Sequence, residues 1–498
     1  MLLDARQLES GTLIEADVCI VGAGAAGITV ARDLGRAGLR VALLESGGLV
    51  PSLPSTDLLR ARSIGLGYGP LHMNRLRQFG GTTGHWSGWC RPLDPGDLAG
   101  EGGQQPWPIS WDELARWYPR AVETVQIQSE WNTADVARRS GRTLLPLDPA
   151  HVVSTHYILS PPTRFGEIYR DELAGRSNVA VYLNANLVNI ALAPEGEQVA
   201  ELEVATLEGR KLRARARRYV LATGGLENAR LLLISRDGSP DGLGNRSGHV
   251  GRFFMEHPHF RKAGYLVLDP QLDLGFYQFH HGLPGADGAA GPWVIGALAP
   301  SAELVRREGI PRLACTLTPE DLEAVDGEQR TGPIPAADVA QLALGTPNAA
   351  LYSLFVRSSQ AAVTESRVFL DGERDALGVP RRALEWRTEP GSRESVTRFL
   401  ELLGAEVARH GLGRLWIDAN RWGRLATVLE GGSHHMGTTR MSASARDGVV
   451  DERCRLHECP DLYVAGSSVF PSVGFANPTL TLVALAHRLA DDLRRELQ

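Results

Sequence analysis

Cysteine is scarce in this chain, with five residues in 498, and Cys19, Cys90, Cys315, Cys454 and Cys459 form neither a C-x-x-C pair nor a C-x-x-C-H haem-attachment site. Disulfides therefore do not organise the fold. No stretch approaches the ~18 consecutive apolar residues of a membrane-spanning helix, so membrane insertion is not expected. The opening MLLDARQLES places Asp4, Arg6 and Glu9 where a secretory leader would need an unbroken apolar stretch, and a cytoplasmic location follows as the expectation. Charge of one sign is missing too. Lys and Arg total 52 against 58 Asp and Glu, a formal charge of −6 without long like-charged runs, which leaves no basic surface for nucleic acid. Internal repeats and low-complexity tracts are also absent.

What the chain does have is length, glycine and an ordinary globular composition. Its 498 residues exceed the ~250 to 300 at which one core stops growing, so two domains or one elaborated domain are expected. Hydrophobic residues make up 43% and charged residues 22%, which excludes a disordered chain. The 55 glycines and 29 prolines concentrate in Gly65 to Gly103, Asp237 to Gly251 and Gly282 to Pro292, which read as loops. An apolar strand, Ala16 to Val21, runs into Gly22-Ala-Gly24-Ala-Ala-Gly27, then a helical segment and a second strand, RVALLE. That is a βαβ unit. Further strands are expected in Asn178 to Ile190, from Arg217 and from Asp461, with helices at LENARLLLIS and over the closing TLTLVALAHRLADDLRREL. Strands of one character at Ala16, Arg217 and Asp461 predict a single parallel sheet assembled from distant segments.

In Gly22-x-Gly24-x-x-Gly27 the first glycine permits a tight bend, the second lets backbone approach a pyrophosphate, and the third allows close packing of helix on strand. The helix N-terminus then faces the phosphates with unpaired N–H groups. Glu45 ends the next strand, where a carboxylate accepts hydrogen bonds from a ribose diol. This unit fits NAD and FAD equally well, and the choice falls to the rest of the chain.

Two further segments bear on that choice: Arg77-Gln-Phe-Gly-Gly-Thr-Thr-Gly-His85-Trp-Ser-Gly-Trp, and His434-His435-Met-Gly-Thr-Thr-Arg440 followed by Gly474-Phe-Ala-Asn477-Pro-Thr-Leu-Thr481. With GAGAAG and ATGGLENARLLL they resemble the glucose-methanol-choline (GMC) oxidoreductases, nearest to the sugar-oxidising branch of pyranose oxidase, fructose dehydrogenase and glucoside 3-dehydrogenase. SPPTRFG (Ser160 to Gly166) and VGRFFMEHP (Val250 to Pro258) look like that branch as well, whereas 261 to 430 carries no match. The resemblance implies FAD, an α/β fold with a Rossmann-like FAD-binding domain over 14–88, 175–255 and 433–498, and an α+β substrate-binding domain over 89–174 and 256–432. It also implies that Gly80, Gly81, Thr82 and Thr83 line the flavin, with the backbone around Val188 and Thr223 on the adenine side, and Gly466, Ser467 and Thr479 beside the ring. His85 falls where pyranose oxidase joins a histidine to the flavin 8α-methyl, but Thr-Gly-His-Trp replaces Ser-Thr-His-Trp, so covalent and non-covalent FAD both stay open.

Oxidising an alcohol needs a base at the hydroxyl and a hydride acceptor at the carbon. Histidine suits the base, since its pKa of ~6.5 leaves it neutral at working pH yet able to take a proton. By resemblance the base is His434, three residues before the glycine of H-x-x-G-T, and its partner is Asn477, 43 residues further on. An asparagine NH₂ can hold the same substrate oxygen without competing for the proton. His435 should point elsewhere and is expected to be structural. His257, His259, His280 and His281 lack a familiar ligand spacing, so no metal is expected. Trp86, Trp89, Trp107, Trp111 and Trp117 read chiefly as core, with sugar stacking the other use.

The implied activity is oxidation of a hydroxyl on a sugar, glycoside or aminocyclitol-like molecule, with electrons passing to oxygen, a quinone or a redox protein. A non-sugar alcohol, or a lyase of the same family that keeps FAD as a structural element, are the alternatives. A disulfide reductase or flavin monooxygenase would want a second GxGxxG, which is absent.

Overall fold

The apolar strand expected from Ala16 begins three residues earlier: β1 spans Leu13–Val21 and leads through the glycine turn into α1, Ala25–Arg36, and β2, Val41–Leu44. The extension follows from its neighbour. β3 spans Lys211–Leu221 and pairs in parallel with β1 from Arg213–Leu13 to Leu221–Val21. Its first half, K-L-R-A-R-A-R, has too many charges to read as a strand by hydrophobicity, yet Leu212 and Ala214 are buried between exposed arginines. Period-two alternation is what a half-covered strand needs. The computed structural model describes all residues except 129, 195, 283–290, 321–337, 339–340, 342–344, 346–348, 418–421 and 424–428. Most of the loop expected over Gly282 to Pro292 therefore lies outside the described residues.

β3 is followed by α2, Gly225–Ile234, and pairs on its other side in parallel with Cys459–Val464, bringing the late strand beside the first βαβ unit. The segments around Ala16, Arg217 and Asp461 thus share one sheet, which has nine strands among the described residues. Val18, Cys19 and Ile20 are all fully buried, so both faces of β1 are covered. The run from Asn178 to Ile190 is two strands, Val179–Leu183 and Asn186–Leu192, broken at Asn184, whose φ of 59° is a left-handed conformation that asparagine tolerates.

The second sheet is separate from the first, and its described pairings are antiparallel. Ten described strands come from 89–90, 152–159 and the region between 258 and 431, including β4, Pro258–Phe260, and β5, Ala350–Ser358. β4 and β5 pair so that His259 lies opposite Arg357. A three-stranded sheet joins Arg62–Gly65 to Arg367–Arg374 and Pro380–Trp386. One hydrophobic cluster runs through the first two sheets, so the cavity described below lies within a continuous core. The chain closes with α3, Pro478–Leu497, packed on α1. Among the described residues no helix is long and apolar enough to cross a membrane. All five cysteines are free and buried.

Candidate active site

A cavity of about 650 Å³ runs from the βαβ turn to His434 and Asn477. Three helix N-termini open onto it, those of α1 at Gly24, α2 at Gly224 and α3 at Asn477, and none has a side-chain cap. Their free N–H groups and partial positive charge make a setting for negative charge. A Cβ added at Gly24, Gly224 or Gly466 would meet no atom within 4 Å, so these glycines present bare backbone to the cavity.

The cofactor residues expected from sequence divide between the wall and what stands behind it. Gly22, Gly24, Glu45, Gly81, Thr82, Thr83, His85, Thr223, Gly466, Ser467 and Thr479 line the cavity. Gly27, Gly80 and Val188 do not. A Cβ on Gly27 would stand 1.9 Å from the Gly22 carbonyl oxygen, and one on Gly80 would stand 2.5 Å from the Gly166 nitrogen, so both glycines serve close backbone packing. Near Val188 the lining residues are Ala185 and Leu187. Glu45 accepts hydrogen bonds from the Ala23 and Gly47 amides at 2.9 and 2.8 Å. Burial pushes its pKa up while those amides pull it down. An elongated cavity, bare glycine backbone at a βαβ turn and a carboxylate at the second strand end fit an adenine dinucleotide. Buried atoms on the wall that lack protein partners, Asn477 Oδ1, His435 Nε2 and Arg77 Nη1, leave polar groups for it and its substrate to meet.

His434 is aimed by its neighbours. Ser433 turns the chain with φ at 63° just after the strand Leu429–Gly431. Gly437 has φ at 85° and lies so close to the Phe253 carbonyl that a Cβ would come within 2.3 Å, while the Thr438 hydroxyl donates to the Gly225 carbonyl. That is the physical content of H-x-x-G-T: it pins the histidine segment to the start of α2. The His434 amide donates to Glu256 Oε1 at 2.7 Å, its Nδ1 lies 2.9 Å from His257 Nδ1, and its Nε2 lies 3.2 Å from Asn477 Nδ2. The two residues paired from sequence are thus in contact, at the N-terminus of α3. Burial first, then the nearby His257 and His259, hold the His434 pKa well below the usual histidine value.

Several residues at this end went unrecognised in the sequence, or were weighed only as metal ligands. Glu256 is buried and accepts from the His257, Gly432 and His434 amides and from the Tyr68 hydroxyl. Burial pushes its pKa up to about 7 against those four donors. His259 packs edge-on to His434 with ring centroids 6.0 Å apart, and its Nε2 has no partner. Arg357, across the strand pair from His259, lines the same wall. The signals were present but faint: His257 and His259 at i, i+2, and a single arginine near the end of an apolar strand. His435 turns its ring toward Tyr68 and Phe254, with centroids 5.8 and 6.0 Å away. Of the tryptophans, Trp86 and Trp89 line the cavity, Trp107 is buried with its N–H on Ser472, and Trp111 and Trp117 pack on the core.

Known proteins agree with this architecture. Residues 362–486, which include His434 and Asn477, match the GMC oxidoreductase family. The chain is 24% identical to a 2-methyl-1,2-propanediol dehydrogenase of Mycolicibacterium austroafricanum over 97% of its own length and 95% of the relative's. It is 23% identical to the fructose dehydrogenase large subunit of Gluconobacter japonicus, over 98% and 99%. The fold of a pyridoxine 4-oxidase from Mesorbium loti superposes with a TM-score of 0.58 at 18% identity, covering 96% of this chain and 98% of that one. The family match falls on the paired histidine and asparagine and the relatives align end to end, so the chain is similar to GMC oxidoreductases along its whole length, and the dinucleotide its cavity fits is FAD.

Proposed function

We propose that the protein oxidises a hydroxyl group on a sugar, glycoside or related polyol, with His434 as the base and Asn477 as the group that holds the reacting oxygen. One observation carries this reading: His434 Nε2 and Asn477 Nδ2 stand 3.2 Å apart on the cavity wall, with Asn477 Oδ1 unpaired. FAD bound in the cavity supplies the acceptor for the hydride. The residues supply the rest.

The hydrogen-bond chain selects the useful tautomer of the base. Asn477 Nδ2 can only donate, so His434 Nε2 offers its lone pair to it. The His434 proton then sits on Nδ1 and is donated to His257 Nδ1, leaving the His257 proton on Nε2, a buried nitrogen without a hydrogen-bond partner among the described residues. A substrate hydroxyl entering between His434 and Asn477 meets a lone pair on one side and an N–H donor on the other. Its proton moves to Nε2 as the carbon gives up its hydride, and the imidazolium so formed stabilises the developing alkoxide. Holding one oxygen at two points orients the carbon, an effect worth up to ~7 to 11 kcal/mol when geometry is optimal.

The likeness to a fructose dehydrogenase and the aromatic wall of Trp86 and Trp89 support a polyhydroxylated substrate. The diol dehydrogenase among the relatives supports the second reading, a smaller non-sugar alcohol. We further assign 14–88, 175–255 and 433–498 to cofactor binding and 89–174 and 256–432 to substrate binding, and place His85, which lines the cavity, at the point of covalent attachment if the flavin is bonded. The purified protein should be yellow, and sugars should bleach it under anaerobic conditions faster than 2-methyl-1,2-propanediol does. A flavin that no polyol or diol reduces refutes the oxidation. Reoxidation in air then separates an oxidase from a dehydrogenase that serves a quinone or a redox protein.

A further inference from the structure

Among the described residues, one cation at the reaction end of the cavity has no carboxylate beside it. Arg357 is 6% exposed, and its guanidinium lies 4.3 Å from the ring centres of both Trp89 and Phe355. Its hydrogen bond runs from Nη1 to Thr316 Oγ1 at 3.2 Å. Among the described residues no carboxylate pairs with it. Three other largely buried arginines are balanced: Arg230 holds Glu227 and Asp375, Arg382 holds Glu227, and Arg312 holds Asp94, Asp97 and Glu101, whereas Arg77, elsewhere on the cavity wall, donates to Ser46. Ring faces satisfy the face of a guanidinium, but its N–H donors lie in its plane and still need acceptors. An unpaired buried charge is costly enough to call for a partner.

The surrounding wall sharpens the point. Arg357 shares it with His259, His434, Asn477, Trp86 and Trp89, and the described lining carboxylates are committed elsewhere. Glu45 holds amides of the dinucleotide turn, and Glu227 is bound by arginines. Among the described residues no lining acid at this end would receive an ammonium group, and Glu256 behind the wall is taken up by three amides and the Tyr68 hydroxyl. A single guanidinium matches a single negative charge in a planar, two-oxygen acceptor.

We propose that Arg357 is the counter-ion of a substrate carboxylate, so that the substrate is a hydroxy acid of the sugar class, an aldonate or a uronate. This rests on the oxidation proposed above. The carboxylate keeps its charge throughout; the hydroxyl carbon gives a hydride to the flavin and the hydroxyl gives its proton to His434, so the balance is that of the alcohol oxidation alone.

The test is calorimetric titration of the flavin-loaded protein with D-glucuronate, D-gluconate, D-glucose and D-glucosamine, followed by anaerobic reduction with each. At least one acid should bind about ten-fold or more tightly than glucose, with glucosamine weakest. Arg357→Gln should erase that ratio and Arg357→Lys should keep part of it; because the wild-type ratio needs no variant, misfolding of either leaves the test intact. Glucose binding as tightly as both acids overturns the proposal, as does an acid preference that survives Arg357→Gln, or a loss in that variant that is equal for acids and glucose. Acids that bind without reducing the flavin leave the carboxylate site standing and refute the oxidation, whereas glucose reducing the flavin faster than the acids does the reverse.

Discussion

The two ends of the cavity are made of different material. At the dinucleotide end the working groups are backbone: the turn at Gly22, the open amides of α1 and α2, and the bare surface of Gly24, Gly224 and Gly466. At the reaction end they are side chains delivered from separate strands and turns, namely Trp89, Glu256, His257, His259, Arg357, His434 and Asn477. The difference teaches what each end cannot tolerate. A site of backbone is spoiled by adding atoms, and a site of side chains by removing functional groups.

The largest effect should come from adding atoms. Gly27→Val places a branched side chain where even a Cβ would stand 1.9 Å from a carbonyl oxygen, so α1 must part from the turn that would carry the pyrophosphate. The variant should purify colourless, read as visible flavin absorbance per protein. A yellow, fully loaded Gly27→Val protein would break the comparison at its first term.

Next comes removal of the base. His434→Ala should stay yellow yet reduce its flavin about 10² to 10⁴ times more slowly, the usual worth of a placed general base. The wild-type pH profile checks the same group. His434 acts when neutral, and burial with the neighbouring imidazoles of His257, His259 and His435 lowers its pKa, so protonation should silence it only below the usual ~6.5. Reduction rates should therefore hold level as pH falls to about 6.5 and decline below it. An acidic limb centred above that value would mean that His434 is not held neutral as described.

The same contrast explains what could be read in the chain. A backbone-built site needs consecutive residues of defined conformation, so Gly22, Gly24, Gly27 and Glu45 stand in one readable stretch, and the parallel sheet followed from three like strands. Even there the reading is incomplete: the first half of β3 is hidden by its arginines, and Val188 stands just outside the lining. A side-chain site needs only that strands deliver groups to one place, and no local spacing joins Arg357 to Trp89 or Tyr68 to Glu256. His434 and Asn477 were found because each lies in its own short motif, held by Gly437 and by Pro478. The wall around them lies in 256–432, where neighbours are set by pairing such as β4 on β5 and sequence distance says little.

His257 offers the finest test of the comparison, because it touches neither cofactor turn nor substrate and acts through another residue. Its Nδ1 accepts the His434 proton in the tautomer argued above, so it is a positioning residue for the base. His257→Leu fills the space but accepts nothing; His434 then loses the bond that keeps its proton on Nδ1, and the tautomer with the proton on Nε2 competes. The rate should fall about ten-fold, a loss of ~1.4 kcal/mol in barrier terms, in kcat more than in KM. His257→Asn offers a side-chain oxygen near the same place and should recover most of the rate, which a merely structural role would not predict. Equal losses in the leucine and asparagine variants, with flavin content intact, would show that the buried imidazole is there for packing and that Asn477 alone sets the tautomer.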